Sequence, residues 1–194
     1  MSDMKRIRFA YLRAMALAVL LLNGAVGARA QEWSVKTNLL SDAVTVPSVG
    51  SEYRISLRWT ASLDLAWMPI RQDPDHYLRT FKVQPEAHYW LRAPFTGPFI
   101  GPSLQWRLFN MGGLFAFRTS DTRTQGYLLG AGVTAGWHFT LSNRWGLEPA
   151  ITLGYAYSRY NRYDDPRSRI PLKKWTLHYG GPIAASVQLV YMLK

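Results

Sequence analysis

The run His138-Phe139-Thr140-Leu141-Ser142, with Glu148 close behind, brings a histidine, two hydroxyls and a carboxylate together. A histidine held in one tautomer by a carboxylate activates a hydroxyl nucleophile, so these residue types raise acyl transfer or hydrolysis. A histidine–carboxylate pair is also an ordinary way to satisfy a polar interior, and the surrounding elements decide between the two. If Ser142-Asn143-Arg144 is a tight turn that sets Leu141 against Trp145, His138 lies directly opposite Glu148, within side-chain reach. A turn at Arg58–Thr60 likewise sets Arg54 opposite Asp64. On a third hairpin, pairing Arg92 with Phe99 sets Glu86 against Gln105 and one diagonal step from Arg107. Three hairpins thus put compatible polar partners on one face. A buried charge without a partner is costly, so a structural network is favoured over a proton path or a catalytic pair. Ser142, in the turn, has the ordinary work of a turn residue.

The segment SRYNRYDDPRSRIPLKKWTLHY, residues 158–179, holds Arg159, Arg162, Arg167, Arg169, Lys173 and Lys174 against Asp164 and Asp165. Arginine and tyrosine dominate interaction surfaces. As a long loop with a cationic surplus, it is a candidate contact for lipopolysaccharide phosphates or an acidic surface partner. His76, His88, His138 and His178 show no metal-ligand spacing, so no metal or other cofactor is expected.

These residues sit on segments of period two. In GYLLGAGVTAGWHFTL, residues 126–141, Tyr127, Leu129, Ala131, Val133, Ala135, Trp137, Phe139 and Leu141 form one apolar face. The other face is small or polar apart from Leu128, with glycine at 130, 132 and 136. Glycine disfavours a helix, and a helix would scatter the apolar residues around its circumference, so the segment reads as a strand. Similar alternation begins at Ser51, Ala61, Val83, Ile100, Trp145 and Ile183, and a first strand is expected near Val35–Leu40. That makes eight. Three connections are tight, at Arg58–Thr60, Ala93–Gly97 and Ser142–Arg144, and they alternate with four longer ones. Such segregation of turn lengths is what an outer-membrane barrel shows, with short turns on the periplasmic side. Trp59, Phe95, Trp145 and Tyr191 mark one expected rim, and Trp67, Tyr127 and Tyr157 the other. Eight strands enclose an interior that side chains fill. Gly130, Gly132 and Gly136 would leave room there for Trp90, Arg92, Gln105 and Arg107. Pro85 and Pro149 each remove a ladder donor and mark a bulge or a frayed ladder.

Ahead of the strands, Lys5, Arg6, Arg8 and Arg13 precede the apolar run Ala14–Val26, and Ala28-Arg29-Ala30 fits a cleavage site. Residues 1–30 therefore read as a secretory signal peptide, and 31–194 as one exported domain. Removing five basic and one acidic residue lowers the net charge from +11 to +7. No basic–aromatic cluster sits on a recognisable nucleic-acid motif, so nucleic acid is not an expected partner. Without cysteine, neither a disulfide scaffold nor a thiolate metal site is available.

The pieces VKTNLL (35–40), QPEAHYWL (84–91) and WGLEPAITLGYAYSRYNRY (145–163) resemble the Gram-negative outer-membrane family catalogued as domain of unknown function 3575. The resemblance implies an outer-membrane barrel of a kind sometimes encoded near surface-fimbria components; it brings no established activity. The expectation is an all-β, eight-stranded antiparallel up-and-down transmembrane barrel, with short periplasmic turns and long extracellular loops. A monomer in contact with outer-membrane lipids and lipopolysaccharide, or with a surface protein, is the expected function. The alternatives are a lipid A-modifying enzyme on the same scaffold, a narrow channel, and a soluble periplasmic sandwich.

Overall fold

The computed structural model describes residues 32–44, 46–68, 77–112, 123–163 and 173–193. The expected signal peptide lies outside the described residues. Eight antiparallel strands follow in chain order: β1 Trp33–Asn38, β2 Ser48–Arg54, β3 Trp59–Met68, β4 Tyr77–Trp90, β5 Gly97–Gly112, β6 Arg123–Thr140, β7 Trp145–Tyr163 and β8 Lys173–Leu193. Each pairs with its neighbours in sequence, and β1 pairs with β8, so the sheet closes into a barrel. Near the short turns closure pairs every strand edge, although β1 covers β8 only over Gln188–Leu193. The first strand is shifted from its expected place: Leu39 and Leu40 open a short helix, α1 (Leu39–Ala43), capped by the Asn38 side chain, which accepts from Leu40 N at 3.1 Å.

Alternation along the strands produces a fold turned inside out. The interior holds Lys36, Glu52, Thr60, Glu86, His88, Thr134, His138 and Glu148, all buried. Leu63, Trp67, Ile100, Leu104, Trp106, Leu129, Val133, Trp137, Ile151 and Leu153 point outward and are between 43% and 58% exposed. An apolar exterior of this extent is uncommon on a soluble monomer.

Two turns at one end share the pattern Ser-x-Arg-Trp. Ser56-Leu57-Arg58 and Ser142-Asn143-Arg144 each return the chain so that the residue before the turn, Ile55 or Leu141, donates its N–H to the carbonyl of Trp59 or Trp145. In each, the arginine then reaches past the second strand of its hairpin to the strand beyond, β4 or β8. Arg58 Nη1 donates to Tyr89 Oη at 3.1 Å, and Arg144 Nη1 to Tyr191 Oη at 3.2 Å. The tryptophans pack on those same tyrosines, at 5.2 and 4.9 Å between ring centroids. With Trp33 against Tyr53 at 4.7 Å, they make an aromatic band around this end. Phe95, expected in that band, instead turns inward at φ 60° and is buried with Trp90, Phe99, Val190 and Met192. This apolar plug closes the interior near the short turns.

The strands lengthen along the chain, from 6 residues in β1 to 21 in β8. Near the short turns all eight take part. Beyond Met68 the ring loses β1–β3, and a taller wall of β4–β8 continues. Segments expected as loop therefore belong to strands: β7 runs on to Tyr163, and β8 starts at Lys173. Pro85 and Pro149 interrupt the β4–β5 and β6–β7 pairing without shifting register, so each is a gap and not a bulge. The register shift of the last hairpin lies between Thr152 and Leu153, opposite Ala184 and Pro182, beside Gly181 at φ 145°. The skipped residue, Ile183, turns inward toward Gly130.

Candidate functional site

The interior polar groups form one connected chain. Lys36 on β1 is ion-paired to Glu52 on β2, and its Nζ donates to Glu148 Oε2 on β7 at 2.6 Å. Glu148 Oε1 lies 2.8 Å from His138 Nδ1 on β6. On the other side of Lys36, Glu52 meets His88 Nδ1 at 3.1 Å, and His88 Nε2 meets Glu86 Oε2 at 3.0 Å. Glu86 Oε1 accepts from Gln84 Nε2 at 2.8 Å and from Thr134 Oγ1 at 2.7 Å. Thr134 and Thr152 share a hydroxyl contact at 2.8 Å. Thr60 donates to Glu52 and accepts from Trp90 Nε1 at 2.9 Å, which ties the chain to the apolar plug.

Six of the eight strands contribute directly to this chain, β1, β2, β3, β4, β6 and β7; the ion pairs tie β1 to β2 and β7, β2 to β4, and β6 to β7, while His88–Glu86 lies within β4. Acid and base alternate along it: Glu86, His88, Glu52, Lys36, Glu148, His138. In a low-dielectric interior such alternation satisfies charges that would otherwise be costly to bury. Above the chain, Lys82 Nζ donates to Gln84 Oε1 at 2.7 Å, beside a cavity of about 20 Å3 that Asp64 also lines. That space holds about one water. Among the described residues, no group of three or more His, Asp or Glu side chains is arranged to hold a metal ion.

The structure sets His138 against Glu148, the pair expected from the Ser142–Arg144 turn. The Arg54–Asp64 pairing is corrected. The turn falls at Ser56–Arg58, two residues earlier than expected, so Arg54 faces Thr60 and Asp64 faces Gly50. Arg54 Nε donates to Ser56 O at 3.2 Å. The third hairpin is also shifted by two: Trp90 faces Phe99, Glu86 faces Ser103, and Arg107 faces Lys82. Gln105 is buried and Arg107 half-buried, away from the Glu86 carboxylate's partners. Arg92 is exposed in the turn and fills no interior space. Gly136 makes room for the Phe99 ring and Ala150, and Gly130 borders Gln105 and Ile183. Gly132 abuts the β7 backbone at Leu153 and Gly154.

Lys36, Glu52 and His88 were not expected in the network. Their signal was in the sequence: Lys36 alternates with Val35 and Thr37, and Glu86 and His88 are two apart on one strand face. Of the cationic segment, Arg159, Arg162 and Lys174 lie on the tall β7–β8 hairpin and are exposed. Lys173 begins β8, while Arg167 and Arg169 lie outside the described residues. Ser142 and Thr140 are exposed at the short-turn end.

The family model described as "Protein of unknown function (DUF3575)" matches residues 16–193. The chain belongs to this family. Membership in DUF3575 attaches no activity to the ion-pair chain or to the hairpin. No curated protein and no solved structure matches the chain.

Proposed function

We propose that this protein is an integral outer-membrane barrel whose work is contact at the cell surface. The observation that carries this reading is the inversion of burial: charges and amides inside, a continuous apolar belt outside. In water that belt would drive association, whereas in hydrocarbon it is the favourable surface. The aromatic band at the short-turn end supports the same placement, since tryptophan and tyrosine favour membrane interfaces. Phe81 against Trp106, 6.0 Å apart, and Tyr127 against Tyr157, 6.3 Å apart, supply the corresponding band nearer the other end. An exported outer-membrane protein of a Gram-negative cell also accounts for the basic, apolar leader in residues 1–30.

The tall wall is the contact surface. Paired strands of 19 and 21 residues, at about 3.4 Å per residue, are longer than a tilted strand needs to cross an outer membrane. The surplus carries Arg159 and Lys174 on one outer face, where they line a cleft of about 440 Å3 with Gln125, Tyr127 and Asn161. Guanidinium and ammonium groups at that height suit the phosphates of lipopolysaccharide. Replacing Arg159, Arg162 and Lys174 by glutamate is expected to weaken lipopolysaccharide binding most at low salt. Unchanged binding would remove the lipopolysaccharide contact and leave a surface protein, such as a fimbria-like component, as the occupant to seek by pull-down from native membranes.

A further inference from the structure

β8 outruns the strand that covers it. β1 pairs with it only over Gln188–Leu193, and just above, the Asn38 side chain accepts from Val187 N at 3.4 Å and ends the ladder. Beyond that point the edge of β8 turned away from β7 meets no strand among the described residues. In an antiparallel ladder alternate residues bond to one neighbour and those between them to the other. Met192 N donates to Arg144 O on the β7 side, whereas Val187 N points to the β1 side. The bulge at Ile183 exchanges that phase. Above it Leu177 and Tyr179 bond to β7, opposite Ser158 and Ala156, while Lys174, Thr176, His178 and Gly180 turn N–H and C=O to the uncovered side. Pro182 has no N–H and closes the stretch below.

Lys174–Gly180 is exposed throughout, and a Cβ added at Gly180 would meet nothing within 4 Å. The His178 ring is bonded to Tyr155 Oη on β7, which draws it off the edge. An open row of backbone donors and acceptors is a template for one more strand. We infer that this edge takes up an extended, acidic segment of another protein as an added strand. The inference rests on the reading that the β7–β8 extension stands outside the membrane, and goes beyond it in naming the occupant. Side chains on the inner face of the added strand would lie beside Leu177 and Tyr179, both exposed, which suits apolar residues. On the outer face they would lie beside Lys174 and Thr176, whose β7 partners are Asn161 and Arg159. That face holds two cations and no carboxylate, which suits glutamate or aspartate. A second copy in the same membrane does not fit. A two-fold axis along the membrane normal would bring two β8 edges together in parallel, the outer face of one continuing the inner face of the other.

The test follows amide hydrogen exchange by NMR on the 15N-labelled full chain in a zwitterionic detergent. The probe is a synthetic peptide of about eight residues, an ordinary strand length, in which valine alternates with glutamate and threonine. Without it, the amides of Leu177 and Tyr179 should be protected and those of Thr176 and His178 should exchange freely. At saturation the peptide should slow Thr176 and His178 at least about tenfold. N-methylation of one alternate set of peptide residues should abolish binding, and of the other set spare it. Thr176→Pro removes an outward N–H but no bond to β7, so it should abolish binding in a barrel that heat-modifiable gel mobility shows to be folded. Lys174→Glu should weaken binding at least about fivefold. The inference is overturned if the peptide gives no saturation, or if both N-methylated forms bind as well as the parent peptide. Protection of Thr176 and His178 before any peptide is added would also overturn it, because the edge is then already filled by this chain or a second copy. So would equal slowing of these amides by lipopolysaccharide. Maleimide labelling of Lys174→Cys on intact cells tests the placement outside the membrane separately, so a failed titration beside a labelled cysteine refutes the added strand alone.

Discussion

The two ends of this barrel handle the same inward-facing positions in opposite ways. Near the short turns eight strands face one another, and what points inward is covered: Trp90 and Val190 are 0% exposed. On the tall wall, Trp175, Leu177 and Tyr179 also lie on the inward face of β8, opposite Tyr160, Ser158 and Ala156, yet they are 43–50% exposed. The difference is the height of the opposing wall. β1 and β2 end before they can cover what β7 and β8 present, so an identical alternation yields core at one level and surface at the other. The first region should govern stability and the second recognition.

The largest effect is expected from Lys36→Met, which strands Glu52 and Glu148 without their shared cation. Breaking a buried pair in this way costs about 3–5 kcal/mol. The temperature at which the folded band disappears from heat-modifiable gels should fall sharply. Adding Glu52→Gln and Glu148→Gln to Lys36→Met should recover part of that loss, because the stranded charges are then gone. A next, smaller loss is expected from Gly146→Ala, whose Cβ meets the His138 ring; overpacking of this kind costs about 1–3 kcal/mol. His138→Gln and Glu148→Gln as single changes should each lower the same transition temperature, and no change in either would end the structural role of that pair. The smallest effect belongs to Arg159→Glu and Lys174→Glu, within about 0.5 kcal/mol on stability as exposed surface changes. If these wall variants destabilised the barrel as much as Lys36→Met, the division between the two regions would be wrong.

The contrast also explains what could be read from the chain. Period-two alternation reports the face of each residue, and a slip of two residues keeps every side chain on its face while changing every partner. That is why Glu86 and Gln105 are both inward, yet Glu86 opposes Ser103. Turn position alone fixes the partner. Ser142-Asn143-Arg144 gave the right register for His138 and Glu148; its counterpart Ser56-Leu57-Arg58 carries the same Ser-x-Arg-Trp pattern, and aligning the two would have placed Arg54 opposite Thr60. Strand length was hidden for a different reason. Residues 158–163 and 173–179 are largely polar and aromatic and face no opposite wall, so alternation in burial gives no signal there although the ladder continues. The inward turn of Ile183 depends on a one-residue bulge beside Gly181, which reverses the face expected for it.

The central claim is that the outward apolar belt lies in membrane while the β7–β8 extension stands in water. Because the chain has no native cysteine, Val133→Cys and Lys174→Cys each introduce a single thiol. Both are exposed on the isolated protein, Val133 at 49%. On intact cells, a membrane-impermeant maleimide should label Lys174→Cys rapidly and leave Val133→Cys unmodified until the membrane is dissolved by detergent. Equal labelling of both positions, or release of the protein with the soluble periplasmic contents, would contradict the account.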